Sequence, residues 1–87
     1  IQGPIGPLLK NNPKAWFDTL DTNLLGVVNS CRVVLPRMIE ERQGKIIALA
    51  GGGAGSPRPN FSAYAASKAA LVRFIECIAE ELRDHNV

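Results

Sequence analysis

Apolar side chains recur every three or four positions along much of the chain, which is the spacing of an amphipathic helix. In the first such stretch the repeating positions are Phe17, Leu20, Leu24, Val27, Cys31, Val34 or Leu35, and Met38. This pattern predicts one long helix from about Pro13 to Glu41, with Asn12 as its N-terminal cap. Pro36 should kink this helix or start a new turn. The helix should end at Gln43-Gly44, with a glycine after its last turn.

A second helical pattern runs from about Ser62 to His85. Its inward stripe consists of Tyr64, Lys68, Leu71, Ile75, Ile78 and Leu82. At about 100° per residue these six positions lie within roughly 40° of one line. A phenol and an amine therefore share the stripe that should face the interior. An ammonium group there costs several kcal/mol unless its end reaches water, pairs with an anion or takes part in chemistry. This pair is the main argument for an enzyme site.

Between the two helical patterns, residues 45–50 form a continuous apolar run between glycine signals. Such a run predicts a strand that is buried on both faces, as in a parallel sheet. Residues 1–12 and 51–60, rich in Gly, Pro and Asn, should be loops. The order helix, buried strand, glycine-rich loop, helix is typical of an α/β fold. One strand makes no sheet, so partner strands must come from outside these residues. We therefore expect residues 1–87 to be an interior slice, one partial domain of a larger fold.

Composition excludes several other classes of protein. The chain has 87 residues, 46% of them hydrophobic and 21% charged, which indicates one small globular domain or a piece of one. The formal charge of +2 and the scattered basic residues argue against nucleic acid. No apolar run is long enough for a membrane span, and the N-terminus does not resemble a signal peptide. A cytoplasmic location is the default expectation. Because the first residue is not Met, we expect the native chain to be longer.

Cysteine and histidine are too sparse for a metal site. Cys31 and Cys77 are separated by 46 positions, with no C-x-x-C and one His, so no zinc arrangement is expected. We expect two free thiols in a reducing compartment, although the sequence alone leaves a disulfide open.

Residues 64–68, Tyr-Ala-Ala-Ser-Lys, have the spacing Y-x-x-x-K. They are accompanied, in order, by residues 22–26 (Thr-Asn-Leu-Leu-Gly), 35–38 (Leu-Pro-Arg-Met), 43–47 (Gln-Gly-Lys-Ile-Ile) and 79–82 (Ala-Glu-Glu-Leu). Taken together, from about Trp16 to Val87, the chain resembles the short-chain dehydrogenases/reductases. Y-x-x-x-K alone is a weak signal, but the whole set in this order is specific.

The resemblance implies a doubly wound parallel sheet of the Rossmann type, of which this chain would be the helix–strand–helix interior. It implies hydride transfer between NAD or NADP and a small-molecule carbonyl or alcohol. Tyr64 would be the general acid/base, Lys68 would favour the phenolate and bind the nicotinamide ribose, and Asn23 would hold a water in a proton relay. Tyr64 and Lys68 would thus be both catalytic and cofactor-binding. Independently, a free phenol ionises only near pH 10, and a cation one helical turn away favours the phenolate.

Related proteins commonly form homodimers or homotetramers through the two long helices. The resemblance implies the same here, and exposed apolar residues such as Val28, Val72 and Ala79 would fit that role.

One residue departs from the family pattern. A serine usually follows the buried strand, but Gly51 and Ala50 occupy the corresponding positions. The hydroxyl that orients the substrate carbonyl is therefore missing unless Ser56 replaces it. The alternatives to an active enzyme are therefore a catalytically impaired or silent relative with a binding or assembly role, or an inactive truncated fragment.

The chain also lacks the family's N-terminal nucleotide fingerprint and C-terminal substrate region. We expect Arg58 and His85 to be non-catalytic.

Overall fold

The computed structural model describes residues 3–48 and 59–87. After a 3-10 turn at Leu8–Lys10, helix α1 spans Pro13–Leu20, a π-helical turn spans Asp21–Leu25, and helix α2 spans Gly26–Glu41. Helix α3 spans Ser62–Glu81 and is followed by a second 3-10 turn at Arg83–His85. The two helical regions expected from the apolar pattern are therefore present.

The start of α1 follows from two adjacent residues. The Asn12 side-chain oxygen accepts hydrogen bonds from the backbone N–H groups of Lys14 and Ala15, at 2.8 and 3.3 Å, and Pro13 is the first helical residue. These bonds satisfy donors that have no partner within the helix, and the prediction of the cap is confirmed. Within α1, the hydrogen bond and the charge of Asp18 raise the pKa of Lys14 above its ordinary value. Because this pair is exposed, it contributes little to stability.

The prediction of one uninterrupted helix over residues 13–41 is wrong in one respect. The backbone stays helical throughout, but between α1 and α2 the Gly26 N–H donates to the Asp21 carbonyl, an i→i+5 bond. A π turn of this kind holds one more residue than an α turn. Pro36 lies inside α2, and the helix continues past it to Glu41.

The C-terminus of α2 also differs from the expected glycine cap. The left-handed residue is Arg42, with φ 53° and ψ 36°. The Gln43 N–H donates to the Met38 carbonyl and the Arg42 N–H to the Ile39 carbonyl, both at 3.1 Å, which is the Schellman pattern. Gly44, with φ 157°, lies so close to the Met38 side chain that a Cβ there would be 2.5 Å from it. Gly44 is thus required for space against Met38, and the left-handed position is Arg42, two residues before it.

Helix α3 begins at Ser62 as expected but ends earlier than His85. At Leu82 the backbone leaves the α region (φ −98°, ψ 3°), and the chain tightens into the 3-10 turn. The last turn of a helix often tightens in this way because its carbonyls lack α-helical partners.

The expected strand is not formed in the described residues. Residues 43–48 carry no secondary structure, and residues 49–50 of the run lie outside the described part. A β-strand is defined by hydrogen bonds to a neighbouring strand, and residues 3–48 and 59–87 supply no such neighbour. Residues 51–58, most of the expected loop 51–60, also lie outside the described part.

Helix α3 packs against α1 and the π turn, and that contact positions the site. Buried residues with at most 7% exposure are Thr19, Asn23, Cys31, Ala63, Ser67, Leu71 and Leu82. At the end where α3 begins, the Gly6 N–H donates to the Asn60 carbonyl at 2.7 Å, and Gly3 lies against the Thr19 side chain. The N-terminal loop therefore covers the start of α3.

The molecule is a slab of 48 × 23 × 15 Å. Large apolar side chains are exposed on it, among them Val33 at 79% and Ile47 at 80%. Of the apolar residues expected on the outer helix faces, Ala79 is exposed, whereas Val28 and Val72 are half-buried.

Candidate active site

Tyr64 and Lys68 lie in the first turns of α3, one helical turn apart. The Lys68 Nζ is 5.8 Å from the centroid of the Tyr64 ring, within the range of a cation–π contact. Both side chains are half-buried. The helix therefore holds an ammonium group beside a phenol at a place that is still open to a ligand.

Asn23 lies in the π turn and is 5% exposed. Its Nδ2 donates to the Ser67 Oγ at 3.0 Å, and that hydroxyl donates to the Tyr64 backbone carbonyl at 2.8 Å. The structure thus brings the three residues singled out in the sequence to one region, although Asn23 is more than 40 positions from Tyr64 and Lys68.

The π turn explains how Asn23 reaches α3. Thr19 and Cys31 are both buried, yet at about 100° per residue an uninterrupted α-helix would set them roughly 120° apart. One extra residue in the π turn removes roughly 100° of that difference. Thr19, Asn23 and Cys31 therefore share one face. The apolar pattern was read with α-helical spacing throughout and so missed this turn.

Sequence reasoning also missed Ala63 and Ser67, which are both 0% exposed. With Leu71, at 2%, they form the line of α3 that contacts the neighbouring helix and π turn. This line is rotated by roughly 80° from Tyr64 and Lys68. The available signal was the spacing of two small residues one helical turn apart, because small side chains let helices approach closely.

A second bond joins α1 to the start of α3. The Trp16 Nε1–H donates to the Ser62 Oγ at 3.0 Å, and the Trp16 and Phe17 rings meet edge to face, with centroids 5.7 Å apart. Tyr64 is thus flanked by two contacts between helices, at Ser62 and at Ser67, which limits the movement of this part of α3.

The remaining candidates lie elsewhere. Ala50, Gly51, Ser56 and Arg58 are outside the described residues. His85 lies beyond the far end of α3, on the order of 30 Å along the helix from Tyr64. Cys31 and Cys77 are both free thiols, the first buried and the second exposed, as expected.

One groove among the described residues does not coincide with this site. It is an open depression of about 680 Å³ at the C-terminal end of α2, lined among others by Val33, Arg37 and Gly44. We place the candidate site at Tyr64 instead, because the groove gathers no titratable pair beside a buried polar network.

Within residues 3–48 and 59–87, no three His, Cys, Asp or Glu side chains group as metal ligands. In the same part of the chain, no helix has the length and apolar character needed to cross a membrane.

Relatives of this chain are numerous. Residues 3–87 match the family model described as short chain dehydrogenase. The chain is 40% identical over 72 residues to 2,3-dihydro-2,3-dihydroxybenzoate dehydrogenase of Bacillus subtilis, covering 83% of this chain and 28% of that protein. It is 32% identical over 80 residues to 3-oxoacyl-[acyl-carrier-protein] reductase of Staphylococcus epidermidis, covering 92% of this chain and 33% of that protein. The chain thus spans about a third or less of the length of these relatives.

Solved structures agree with the sequence matches. 4-Hydroxyisoleucine dehydrogenase complexed with NADH superposes with a TM-score of 0.91 at 28% identity, covering 98% of this chain and 35% of that one. LigO from Sphingobium sp. strain SYK-6 superposes with a TM-score of 0.88 at 32% identity, covering 97% of this chain and 32% of that one. These neighbours have the α/β Rossmann-type fold expected from the sequence. The family match over residues 3–87 establishes that the chain belongs to the short-chain dehydrogenases.

Proposed function

We propose that this chain is the central portion of an oxidoreductase that transfers hydride between NAD(H) or NADP(H) and a small-molecule carbonyl or alcohol. The observation that supports this most is the link from Asn23 through Ser67 to the backbone of Tyr64, beside the Tyr64–Lys68 pair. These hydrogen bonds offset the cost of burying Asn23 and Ser67, and they hold both groups beside a phenol that is only half-buried. The partial domain would be completed by residues outside this chain, including strands that pair with residues 45–50.

Tyr64 is the proposed general acid/base. Its hydroxyl would exchange a proton with the substrate oxygen, which gains or loses negative charge during the reaction. A phenol alone is a poor base at neutral pH because it ionises near pH 10. The Lys68 ammonium, 5.8 Å from the centroid of the ring, would favour negative charge on the phenol oxygen. Asn23, held against α3, would position the water that passes the proton on.

Tyr64 and Lys68 are also the proposed contacts for the nicotinamide ribose. An ammonium group offers three donors and a phenol both donates and accepts, so the pair fits a group with neighbouring hydroxyls. Both side chains lie at the margin of the helix contact rather than in its centre, which leaves their polar ends able to reach a ligand. When bound, the nicotinamide supplies or accepts the hydride. A neighbouring structure, 4-hydroxyisoleucine dehydrogenase, contains NADH, which supports this class of cofactor.

The test uses the full-length protein that contains this chain. NADH and NADPH binding is followed by fluorescence titration, and hydride transfer by nicotinamide absorbance. The relatives suggest the first substrates to try, namely 2,3-dihydro-2,3-dihydroxybenzoate and a 3-oxoacyl thioester. Tyr64→Phe should lower kcat by about 10²–10⁴-fold while nucleotide binding stays within a few-fold. Lys68→Met should lower kcat and also weaken nucleotide binding.

The control is Ser30→Ala. Ser30 is exposed on α2 and donates to the carbonyl of Gly26, so its loss removes a helix hydroxyl that is not part of the bonds from Asn23 through Ser67 to Tyr64. This variant should turn over like the parent. If Tyr64→Phe keeps full turnover, Tyr64 is not the acid/base and the proposed mechanism is wrong.

A catalytically impaired or silent relative is the second candidate, favoured by Ala50 and Gly51 at the positions of the usual serine. Ala50→Ser and Gly51→Ser separate the two. Because losing one such hydrogen-bond donor costs on the order of 10²–10³ in rate, a gain of that size at either position indicates an impaired enzyme. Nucleotide binding without turnover in the parent and both variants indicates a binding role.

A further inference from the structure

Ser67 joins the two elements that carry the candidate residues. Its side chain is 0% exposed, and its hydroxyl makes two hydrogen bonds in opposite roles. It donates to the Tyr64 carbonyl at 2.8 Å and accepts from the Asn23 Nδ2 at 3.0 Å. The buried Ser67 hydroxyl oxygen therefore links α3 to the π turn.

The direction of these bonds follows from chemistry. A backbone carbonyl can only accept, so the single proton of the Ser67 hydroxyl is committed to Tyr64. The hydroxyl can then only accept from Asn23, and the Asn23 amide must turn its NH₂ group toward Ser67. This selects one of the two orientations of the amide and points its oxygen away from Ser67.

We propose that Ser67 is a positioning residue that fixes the orientation of the Asn23 amide relative to Tyr64 and Lys68. This rests on the function proposed above, in which Asn23 holds the water of a proton relay. Because water does not reach the 0%-exposed Ser67, loss of its hydroxyl leaves the Asn23 NH₂ group short of an acceptor. The amide then turns, or the π turn shifts, and the water is held less well.

Ser67→Ala is the informative variant because it removes one oxygen and keeps the small volume that lets the helices approach. In the full-length protein we expect kcat to fall roughly tenfold, with KM and the NADH dissociation constant within about twofold. The solvent deuterium isotope effect on kcat should rise, since the proton step becomes slower. A loss of packing alone would change the melting temperature without this isotope effect.

A double-mutant cycle tests whether Ser67 acts through Asn23. If it does, Ser67→Ala/Asn23→Ala turns over no more slowly than Asn23→Ala alone. Multiplicative losses from the two single changes contradict the proposal, and so does full activity in Ser67→Ala. Should Ser67→Ala fail to fold, Ser67→Cys takes its place in the cycle, since it is only slightly larger than serine and its thiol is a weak donor and acceptor.

The two proposals fail separately. An active Tyr64→Phe variant overturns the proposed function itself. An inactive Tyr64→Phe together with a fully active Ser67→Ala overturns only the role of Ser67. The Ser30→Ala control, which also loses a hydroxyl bonded to its own helix, should leave kcat and the isotope effect unchanged.

Discussion

Tyr64 and Lys68 have a position that suits groups meant to meet a ligand. The line of α3 that touches its neighbours consists of the small residues Ala63 and Ser67 and the apolar Leu71. The two polar side chains stand beside that line, half-buried. Each side chain is thus partly covered by the rest of the molecule and partly open to solvent. This arrangement avoids the full cost of burying an ammonium group.

Arg42 is a second residue whose surroundings explain an unusual conformation. Its left-handed backbone costs a residue with a Cβ about 1–2 kcal/mol. The Arg42 guanidinium donates to the Asp84 carbonyl at 2.9 Å, and the Asn86 side chain donates to the Arg42 carbonyl at 2.7 Å. These bonds tie the end of α2 to the 3-10 turn that follows α3, and they offset the backbone cost.

Arg42→Ala and Arg42→Gly separate the conformational cost from the bonds. Both variants lose the guanidinium bond to Asp84, but only alanine keeps the strain of a positive φ. We therefore expect the glycine variant to be more stable than the alanine variant by about 1 kcal/mol. Urea unfolding of the full-length protein measures the difference. Equal stabilities would contradict a left-handed backbone at position 42.

At the scale of elements, the sequence predicts those features that depend on interactions between residues close together in the chain. The Asn12-Pro13 cap follows from neighbouring residues and the start of α3 at Ser62 from the apolar pattern, and both agree with the structure. The Y-x-x-x-K spacing likewise placed Tyr64 and Lys68 one turn apart. The strand over residues 45–50 depends on pairing with residues far away in sequence, so no local pattern could decide it.

The π turn between α1 and α2 escaped prediction for a different reason. A single extra residue in a helix leaves the residues on each side with ordinary α-helical spacing. What changes is the phase between the two halves. This phase is the angle around the helix axis between the buried face of α1 and that of α2. It becomes visible only when the angular positions of buried Thr19 and buried Cys31 are compared. The polar Asn23 between them is also buried.

Deleting one residue from the π turn should leave the same face of α2 buried. Without Thr22 the turn can become α-helical, and Thr19 and Cys31, then 11 positions apart, lie roughly 20° from each other. We expect Cys31 to stay protected from iodoacetamide, measured by mass spectrometry of the labelled peptides, with exposed Cys77 as the internal reference. Turnover should nevertheless fall, because Asn23 loses its place in the turn.

The matched variant inserts one alanine after Thr22. The turn then holds one residue more than in the parent, which rotates α2 by roughly 100°. Cys31 should become reactive at a rate close to that of Cys77. If the deletion exposes Cys31 or the insertion leaves it protected, the π turn does not set the phase of α2.

At the scale of the whole molecule, the slab is only 15 Å thick. Helices in α/β proteins form one layer against a sheet, and a layer by itself leaves apolar side chains uncovered. Ile47, in the apolar run 45–50, is 80% exposed, which fits a strand whose partner strands are not among the described residues. We therefore propose that the side of the slab that carries Ile47 packs within the sheet. The exposed apolar residues of α1 and α2 then remain to be explained.

Phe17 at 62% and Val33 at 79% are the most exposed apolar side chains of α1 and α2. They support the proposal that two or four copies associate through the long helices, since such interfaces bury apolar centres. Val33→Asp should raise the dissociation constant of the oligomer at least about tenfold, as measured by sedimentation velocity. Lys10→Asp, a charge change outside the long helices, should leave assembly intact. A monomeric parent protein would contradict the proposal. A Val33→Asp variant that loses its melting transition would instead place Val33 against the sheet.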